Sequence, residues 1–181
     1  MKKVFLIRHG LPDFPGGRKM CLGTTDIPMG EKGLAQAAQM AKKLPAVTAV
    51  FSSPLVRAVQ TAEAIGLPVT VLDDLREIYA GQWDGLTFDQ IRERYPELHA
   101  ARARDLTIPP PGAESGEAGI ARFAAAMKTA AEAAPGDFAV VAHGGIIAMF
   151  LRSVGGRWYK PDYAEILSLT YQNGIFTLQE E

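Results

Sequence analysis

Short apolar runs and longer stretches with helical spacing alternate along most of this chain. A short apolar run that is bounded by polar or turn-forming residues is typical of a strand buried on both faces of a sheet. Such runs predict strands at residues 4–7, 47–51, 69–72 and 138–142. Between them, apolar residues recur at three- and four-residue spacing, which predicts amphipathic helices that cover the sheet.

Start and stop signals bound the predicted helices. Ser53 followed by Pro54 is typical of a helix N-cap and first turn, and Ser115 can cap a long alanine-rich helix. Pro45 and Pro96 each end a helical pattern, because proline cannot continue a helix. The signals together predict helices at residues 31–44, 53–65, 87–95, 115–134 and 146–154.

The C-terminal pattern is different. Two alternating segments, residues 165–171 and 175–178, flank Asn173-Gly174, a pair that is favoured in type I′ hairpin turns. Strands and helices alternate before this hairpin, so we expect one domain over residues 1–181. The predicted fold is a three-layer α/β/α sandwich with a mostly parallel central sheet and a C-terminal antiparallel hairpin.

Composition and charge narrow the possible functions. The chain has 181 residues, of which 48% are hydrophobic, enough for one sizeable core. Its net charge of -1 gives no long-range attraction to nucleic acid or to an anionic membrane, so neither is an expected partner. The first apolar run is too short to span a membrane, and the single cysteine, Cys21, cannot form an internal disulfide. A cytoplasmic location is therefore expected.

Candidate catalytic groups follow the predicted strands. In open α/β sheets, ligands bind beyond the carboxyl ends of the strands, where loops and helix N-termini converge. Arg8-His9 comes directly after the first strand, and His143 comes directly after the fourth. Arg57 lies in the first turn of a predicted helix, and Glu77 follows the third strand. We expect these side chains to surround one anion.

The two histidines strengthen this interpretation. A single histidine at a strand end is usually structural, but here two of the three histidines follow the two clearest strands. Each also precedes a glycine, Gly10 or Gly144, and a residue without a side chain lets a phosphate approach the backbone closely.

The segment Leu6-Ile7-Arg8-His9-Gly10 resembles the Arg-His-Gly signature of the histidine phosphatase superfamily, which includes cofactor-dependent phosphoglycerate mutases and many small phosphatases. Arg-His-Gly alone is a weak signal. The resemblance is specific because further stretches match the family in the same order, at residues 23–29, 52–62, 75–85 and 141–145.

The resemblance implies phosphate transfer without a metal ion or another cofactor. His9 is the implied nucleophile, which becomes phosphorylated, and Glu77 is the implied proton donor. An attacking imidazole must be unprotonated at one nitrogen, so its other N–H needs an acceptor such as a nearby backbone carbonyl. The predicted substrate contacts are Arg8, Arg57, His143, Gly144 and Gly23.

Several residues have competing interpretations. Asp84 is the alternative proton donor, although an aspartate in such a turn usually bonds to its own backbone. Cys21 is interpreted as a loop thiol or as part of a substrate-pocket wall, and His99 is expected on a helix surface. Residues 109–115 form either a lid or a rigid connector. No metal-ligand spacing is found in the sequence.

The predicted function is hydrolysis of a phosphomonoester, and the predicted partner is a small phosphorylated metabolite, with α-ribazole phosphate or a broad range of esters as candidates. The alternatives are a phosphoglycerate mutase and a non-catalytic phosphate-binding module. The mutase is disfavoured because residues 11–15 and Leu22 depart from the residues that mutases carry there. The sequence predicts no oligomeric state.

Overall fold

The computed structural model describes residues 1–105 and 107–179. Within them lie six strands: β1 (Lys2–Arg8), β2 (Ala49–Ser52), β3 (Val69–Val71), β4 (Phe138–Ala142), β5 (Ile166–Gln172) and β6 (Ile175–Leu178). The same residues contain six α-helices: α1 (Glu31–Lys43), α2 (Val56–Glu63), α3 (Phe88–Arg94), α4 (Pro96–Arg104), α5 (Gly116–Ala133) and α6 (Gly144–Ser153). None of these helices is long and apolar enough to cross a membrane.

The strands form one mixed sheet in the order β3-β2-β4-β1-β5-β6. The first four strands in this order run parallel, whereas β5 pairs antiparallel with β1, and β6 pairs antiparallel with β5. The turn between β5 and β6 has positive φ angles at Asn173 (52°) and Gly174 (82°), as a type I′ turn requires. The predicted mostly parallel sheet and the C-terminal hairpin are both confirmed, and the hairpin extends the central sheet.

The helices cover both faces of the sheet. Alternate residues of β1 point to opposite faces, so Val4 and Leu6 join one apolar cluster while Phe5 and Ile7 join the other. The first cluster packs against α5 and α6, and the second packs against α1 and α2. Phe123 of α5 is fully buried, which stabilises the fold by roughly 1.5–3 kcal/mol relative to an exposed side chain. The three-layer sandwich is therefore confirmed.

The predicted N-cap of α2 is wrong. The helix begins at Val56, with Leu55 at the N-cap position, rather than at Ser53. The Ser53 hydroxyl accepts a hydrogen bond from the Leu55 N–H at 3.3 Å and lies 2.7 Å from Nε2 of His143. The Ser53 side chain thus connects the end of β2 to the end of β4. It does not cap the helix, which starts later.

The helix predicted at residues 87–95 is observed as α3, and a second helix follows it directly. Thr87 caps α3 through a reciprocal pair of hydrogen bonds with Gln90, and a second helix, α4, then begins at Pro96. Proline is tolerated in the first turn of a helix because the N–H that it lacks has no partner there. The apolar residues alone gave no signal for α4.

Candidate active site

The pairing of β1 with β4 brings the two predicted histidines together. Arg8 lies opposite Ala142 in this parallel pair, so the residues that follow, His9 and His143, leave the sheet side by side. The His9 N–H donates to the Ala142 carbonyl at 3.0 Å. The two imidazole ring centroids are 5.1 Å apart. The convergence expected from the sequence is present at this edge of the sheet.

His9 has a defined tautomer. Its Nδ1 lies 2.7 Å from the carbonyl oxygen of Gly10, and a carbonyl can only accept, so Nδ1 carries the hydrogen and Nε2 keeps its lone pair. Burial and then the positive charge of Arg57 lower the pKa of His9 well below its ordinary value, and the Gly10 hydrogen bond opposes this only in part. The imidazole is therefore neutral near pH 7 and suited to nucleophilic attack through Nε2.

The loop after His9 is packed tightly at its glycine. A Cβ on Gly10 would lie 2.5 Å from the sulfur of Met29 and 2.6 Å from the carbonyl oxygen of Gly33, so only glycine fits. The Gly10 N–H also donates to the hydroxyl of Thr61 at 3.0 Å. These contacts hold the carbonyl that fixes the His9 tautomer.

Arg57 supplies a buried positive charge next to His9. It is fully buried in the first turn of α2, and it donates to the carbonyl oxygens of Thr25 (3.0 Å) and Gly23 (3.3 Å). Asp26 is 3.7 Å away but largely exposed. Burial lowers the pKa of Arg57, yet a guanidinium starts from so high a value that it stays charged. Its Nε is buried and has no hydrogen-bond partner within the described residues.

Arg8 is fixed by contacts with the segment before β5. Its guanidinium donates to the carbonyl oxygen of Pro161 at 2.7 Å and lies 3.7 Å from the ring centroid of Tyr163, a cation–π contact. A Cβ on Gly144 would lie 2.9 Å from Nε of Arg8 and 3.0 Å from Cε of Lys160. Glycine at position 144 thus allows two cationic side chains to approach the start of α6 closely, and a Cβ there would displace them.

Glu77 is held at the N-terminus of α6. One carboxyl oxygen accepts from the N–H groups of Ile78 (3.0 Å) and Ile146 (2.7 Å), and the other accepts from Gly145 (2.9 Å). A Cβ on Gly145 would lie 2.9 Å from the carboxyl group, so glycine is needed here too. The position of the carboxyl group is fixed by these three donors, and the helix dipole favours negative charge there.

His143 is fully buried and close to Ser53. Its Nε2 lies 2.7 Å from the Ser53 hydroxyl, and its Nδ1 has no hydrogen-bond partner among residues 1–105 and 107–179. Burial lowers the pKa of His143 well below its ordinary value, and the neighbouring His9 and Arg57 lower it further because they disfavour a second positive charge there. A second neutral imidazole, with one free ring nitrogen, therefore lies beside the first.

A cavity of about 550 Å³ opens at this end of the sheet. Its wall includes four of the residues that the sequence singled out: Arg8, His9, Glu77 and Gly144. Arg57 and His143 are fully buried beside His9 rather than on the wall. Gly23 was predicted to contact the substrate, but the structure places it next to Arg57, away from the wall. A Cβ on Gly23 would lie 2.6 Å from the backbone nitrogen of Ala80, so the chain passes too tightly there for another residue.

The wall also contains residues that the sequence did not indicate. His99 lies on a helix, as expected, but its half-buried imidazole forms part of the cavity wall, 6.5 Å from the Trp83 ring. Arg102 of the same helix lies over the Trp83 ring at 5.4 Å. Lys160 and Tyr163 enter from the segment before β5. The sequence did not indicate these residues because the hydrophobic pattern reveals neither the path of α4 nor that of the segment before β5.

Cys21 lies in the cavity wall, one of the two positions that the sequence left open. Burial and then the negative charges of Glu77 and Asp84 raise the pKa of Cys21 to about 11. The residue therefore remains a thiol at neutral pH. Because the thiolate is the reactive form of cysteine, this environment does not support a nucleophilic role.

Residues 109–115 complete the wall opposite the sheet. Pro109, Pro110 and Ala113 face the cavity. The segment is bound to the strand-exit loops by hydrogen bonds from the Gln82 N–H to the carbonyl of Pro111 at 2.9 Å and from the Glu114 N–H to the carbonyl of Tyr79 at 3.0 Å. No group of three or more His, Cys, Asp or Glu side chains in the described part of the chain is placed to hold a metal ion.

Comparison with known proteins agrees with this geometry. The sequence profile of the histidine phosphatase superfamily (branch 1) matches residues 4–180. A bifunctional protein of Mycobacterium tuberculosis is 40% identical over 120 residues, and the match covers 62% of this chain but only 33% of that relative. A glucosyl-3-phosphoglycerate phosphatase of Mycobacterium tuberculosis is 35% identical over 164 residues, covering 81% of this chain and 72% of the relative.

Solved structures show the same relationship. The mycobacterial glucosyl-3-phosphoglycerate phosphatase in complex with VO3 has a TM-score of 0.85 and 29% sequence identity, covering 99% of this chain and 98% of the other. Bacillus stearothermophilus YhfR has a TM-score of 0.85 at 25% identity, covering 98% and 95% of the two chains. With the signature residues gathered at one edge of the sheet and the family profile matched over almost its whole length, this chain belongs to the histidine phosphatase superfamily.

Proposed function

We propose that this protein hydrolyses phosphate monoesters through a phosphohistidine intermediate on His9, without a metal ion. The observation that carries the proposal is the state of His9. Its imidazole is neutral and fixed in one tautomer, with Nε2 free, within reach of the charges of Arg57 and Arg8, and it shares a cavity wall with Glu77. This is the arrangement that a phosphoryl-transfer nucleophile needs.

The first step is transfer of the phosphoryl group to the enzyme. Nε2 of His9 attacks the phosphorus atom, a P–N bond forms, and the P–O bond to the substrate alcohol breaks. Glu77 gives a proton to the departing alkoxide and becomes a carboxylate. Arg8 and Arg57 offset the charge that spreads over the phosphoryl oxygens, the task that a metal ion performs in other phosphoryl-transfer enzymes.

The second step restores the enzyme. The Glu77 carboxylate takes a proton from a water molecule, which attacks the phosphorus; the P–N bond breaks, and inorganic phosphate leaves. Glu77 acts as acid and then as base, so no further residue is needed for proton transfer.

His143 is proposed to donate a hydrogen bond to the phosphoryl group. If the Ser53 hydroxyl donates to Nε2 of His143, the proton of this neutral imidazole is on Nδ1, the nitrogen without a partner in the described residues. That N–H is then available to a phosphoryl oxygen when the substrate is bound.

Hydrolysis is favoured over the mutase reaction by the cavity wall. Pro12, Phe14 and Leu22, which stand where mutases carry polar residues for a sugar acid, all line the cavity. The departures from the mutase pattern therefore lie at positions that a substrate would contact. The related glucosyl-3-phosphoglycerate phosphatase also carries a phosphatase name.

The proposed substrate class is a small phosphorylated metabolite. The cavity of about 550 Å³ can enclose an ester of that size. Glucosyl-3-phosphoglycerate is a candidate because a relative with 35% identity is named for it. The likeness to α-ribazole phosphatase structures, at 22% and 21% identity, shows the fold alone, so α-ribazole phosphate stays a prediction from the sequence.

The proposal is tested with p-nitrophenyl phosphate in the presence of EDTA, comparing the wild type with His9→Ala. We expect turnover by the wild type and a loss of at least about 10³-fold in kcat in the variant, because covalent catalysis is removed. A folded wild type without turnover would favour a phosphate-binding module. Equal turnover by both proteins would remove His9 from the mechanism, and a loss of turnover with EDTA would indicate a metal requirement.

A further inference from the structure

Asp84 makes a dense set of hydrogen bonds to a segment far away in the chain. Its Oδ1 accepts from the Gly23 N–H at 2.8 Å, and its Oδ2 accepts from the N–H (2.9 Å) and hydroxyl (2.8 Å) of Thr24. The Thr25 N–H is shared between the two oxygens, at 3.3 and 3.0 Å. One carboxylate thus binds three consecutive backbone N–H groups about 60 positions earlier in the sequence.

The opposite side of that segment holds Arg57. The carbonyl oxygens of Gly23 and Thr25 are the acceptors for the two terminal nitrogens of the guanidinium group. The N–H groups of residues 23–25 therefore bind Asp84, while the carbonyls of the first and last of these residues bind Arg57. A peptide group that is fixed at its nitrogen has little freedom at its neighbouring carbonyl, so the carboxylate restricts the position of the guanidinium.

The segment is held against the Asp84 loop by further contacts. The Gly85 N–H donates to the carbonyl of Cys21 at 2.9 Å, and the Cys21 N–H donates to the carbonyl of Leu86 at 2.8 Å. The tight passage of Gly23 past Ala80 places the same segment against the chain that leads on from Glu77. Asp84 therefore connects the loop that carries Glu77 to the segment that binds Arg57.

The hydrogen bonds also keep Asp84 ionised. Burial raises the pKa of Asp84, but the hydrogen bonds from Gly23, Thr24 and Thr25 lower it further, to below its ordinary value. The Asp84 carboxylate is directed at residues 23–25, and the cavity wall contains Glu77 but not Asp84. The interpretation of Asp84 as the alternative catalytic acid is therefore disfavoured.

We infer that Asp84 is a positioning residue for Arg57: through residues 23–25 it sets the guanidinium group in place beside His9. The inference rests on the proposed function, because it concerns the phosphoryl-binding arrangement. If residues 23–25 were no longer fixed, the Arg57 guanidinium would adopt several orientations relative to the phosphoryl group. A displacement of about 1 Å can lower the reaction rate roughly 10²-fold.

The test is a double-mutant cycle on kcat/KM for p-nitrophenyl phosphate, with Asp84→Asn, Arg57→Met and the double variant. We expect Asp84→Asn to lower kcat/KM by about ten- to a hundredfold. Beside Arg57→Met, the same substitution should change kcat/KM by less than about threefold, because the group that it positions is absent. Equal factors in the two backgrounds would overturn the inference.

Two comparisons distinguish a positioning role of Asp84 from a general effect of removing an acidic charge and from proton donation. Asp89→Asn, an exposed acid-to-amide change on α3, should leave kcat/KM unchanged. Asp84→Asn should slow an alkyl phosphate and p-nitrophenyl phosphate by the same factor, since the arginine serves both. A much larger loss with the alkyl ester would make Asp84 a proton donor and contradict the inference. If the wild type does not hydrolyse either ester, the proposed function fails instead.

Asp84→Asn can fail to fold, because it presents an amide N–H₂ to backbone N–H groups; circular dichroism shows whether it does. If Asp84→Asn does not fold, Thr24→Val replaces it in the double-mutant cycle. Thr24→Val removes one hydrogen-bond donor to the Asp84 carboxylate and leaves the charge of Asp84 unchanged. The expected loss is then about threefold, the effect of one weakened hydrogen bond, and it should disappear beside Arg57→Met. An unchanged kcat/KM in Thr24→Val would overturn the inference.

Discussion

At the scale of single residues, the direction of each hydrogen bond determines how the side chains of the site are arranged. The hydrogen bond from Nδ1 of His9 to the Gly10 carbonyl leaves Nε2 as the free nitrogen. Hydrogen bonds from the N–H groups of residues 78, 145 and 146 fix the position of the Glu77 carboxyl group. The sequence predicted an acceptor for the His9 N–H, and this is confirmed. Neither the identity of the acceptor nor the clamp on Glu77 could be predicted, because both depend on loop geometry.

The role of Glu77 leads to a prediction about leaving groups. Glu77→Gln cannot give a proton to the departing oxygen, so an alkyl phosphate, whose alkoxide is a poor leaving group, should be hydrolysed about 10²- to 10⁴-fold more slowly. Nitrophenolate needs little protonation, and its release should slow by less than about tenfold. Phosphoryl-transfer rates for the two esters, measured by stopped flow, check this.

The matched control is Glu114→Gln. Glu114 also lies in the cavity wall, but its carboxylate binds Arg122 through two contacts of 2.7 Å. This variant is expected to change the two rates by a common factor. If Glu77→Gln did the same, Glu77 would not be the acid.

At the scale of elements, the strands and the starts of α1 and α5 were predictable, whereas the start of α2 was not. The core strand β4 was predicted at residues 138–142 and observed there, because an apolar run between turn signals leaves few alternatives. The start of α2 was missed because the Ser53 side chain binds His143, a contact that exists only after β2 and β4 have paired. The bounds of α4 were not predicted, although His99 was expected on a helix, because the pattern there is polar and a proline begins the helix.

The same limit applied to the site. Residues that directly follow buried strands, His9 and His143, could be placed from the sequence, since neighbouring parallel strands end at one edge of the sheet. Residues that reach the cavity from long connections, such as His99 and Lys160, could not. Their positions depend on packing between segments that carry no periodic pattern.

At the scale of the whole molecule, the fold buries two uncharged imidazoles in a region of positive charge. The pKa of His9 and that of His143 are both lowered well below 6.5, mainly by burial. In the unfolded chain both groups take up protons near pH 6.5, so the unfolded state binds more protons below that pH. The stabilisation is complete above pH 6.5 and is lost as the pH falls towards the folded-state pKa values.

The protein should therefore lose stability on mild acidification. Between pH 6.5 and the lowered pKa values, each histidine should reduce the free energy of unfolding by about 1.4 kcal/mol per pH unit. Urea unfolding at pH 7.0, 6.0 and 5.5 measures this for the wild type and for His143→Asn. The variant should show a shallower dependence on pH. Identical slopes would mean that His143 is not buried in its neutral form.

The central claim is that His9 carries the phosphoryl group between the two steps, and trapping that intermediate tests it most directly. The wild type and Glu77→Gln are mixed with p-nitrophenyl phosphate, quenched within milliseconds at alkaline pH, where phosphohistidine is stable, and digested for mass spectrometry. The account predicts phosphate on the peptide that contains His9, at a higher level in Glu77→Gln, in which activation of water is impaired. Phosphate on another residue, or turnover with an unlabelled His9 peptide in both proteins, would contradict it.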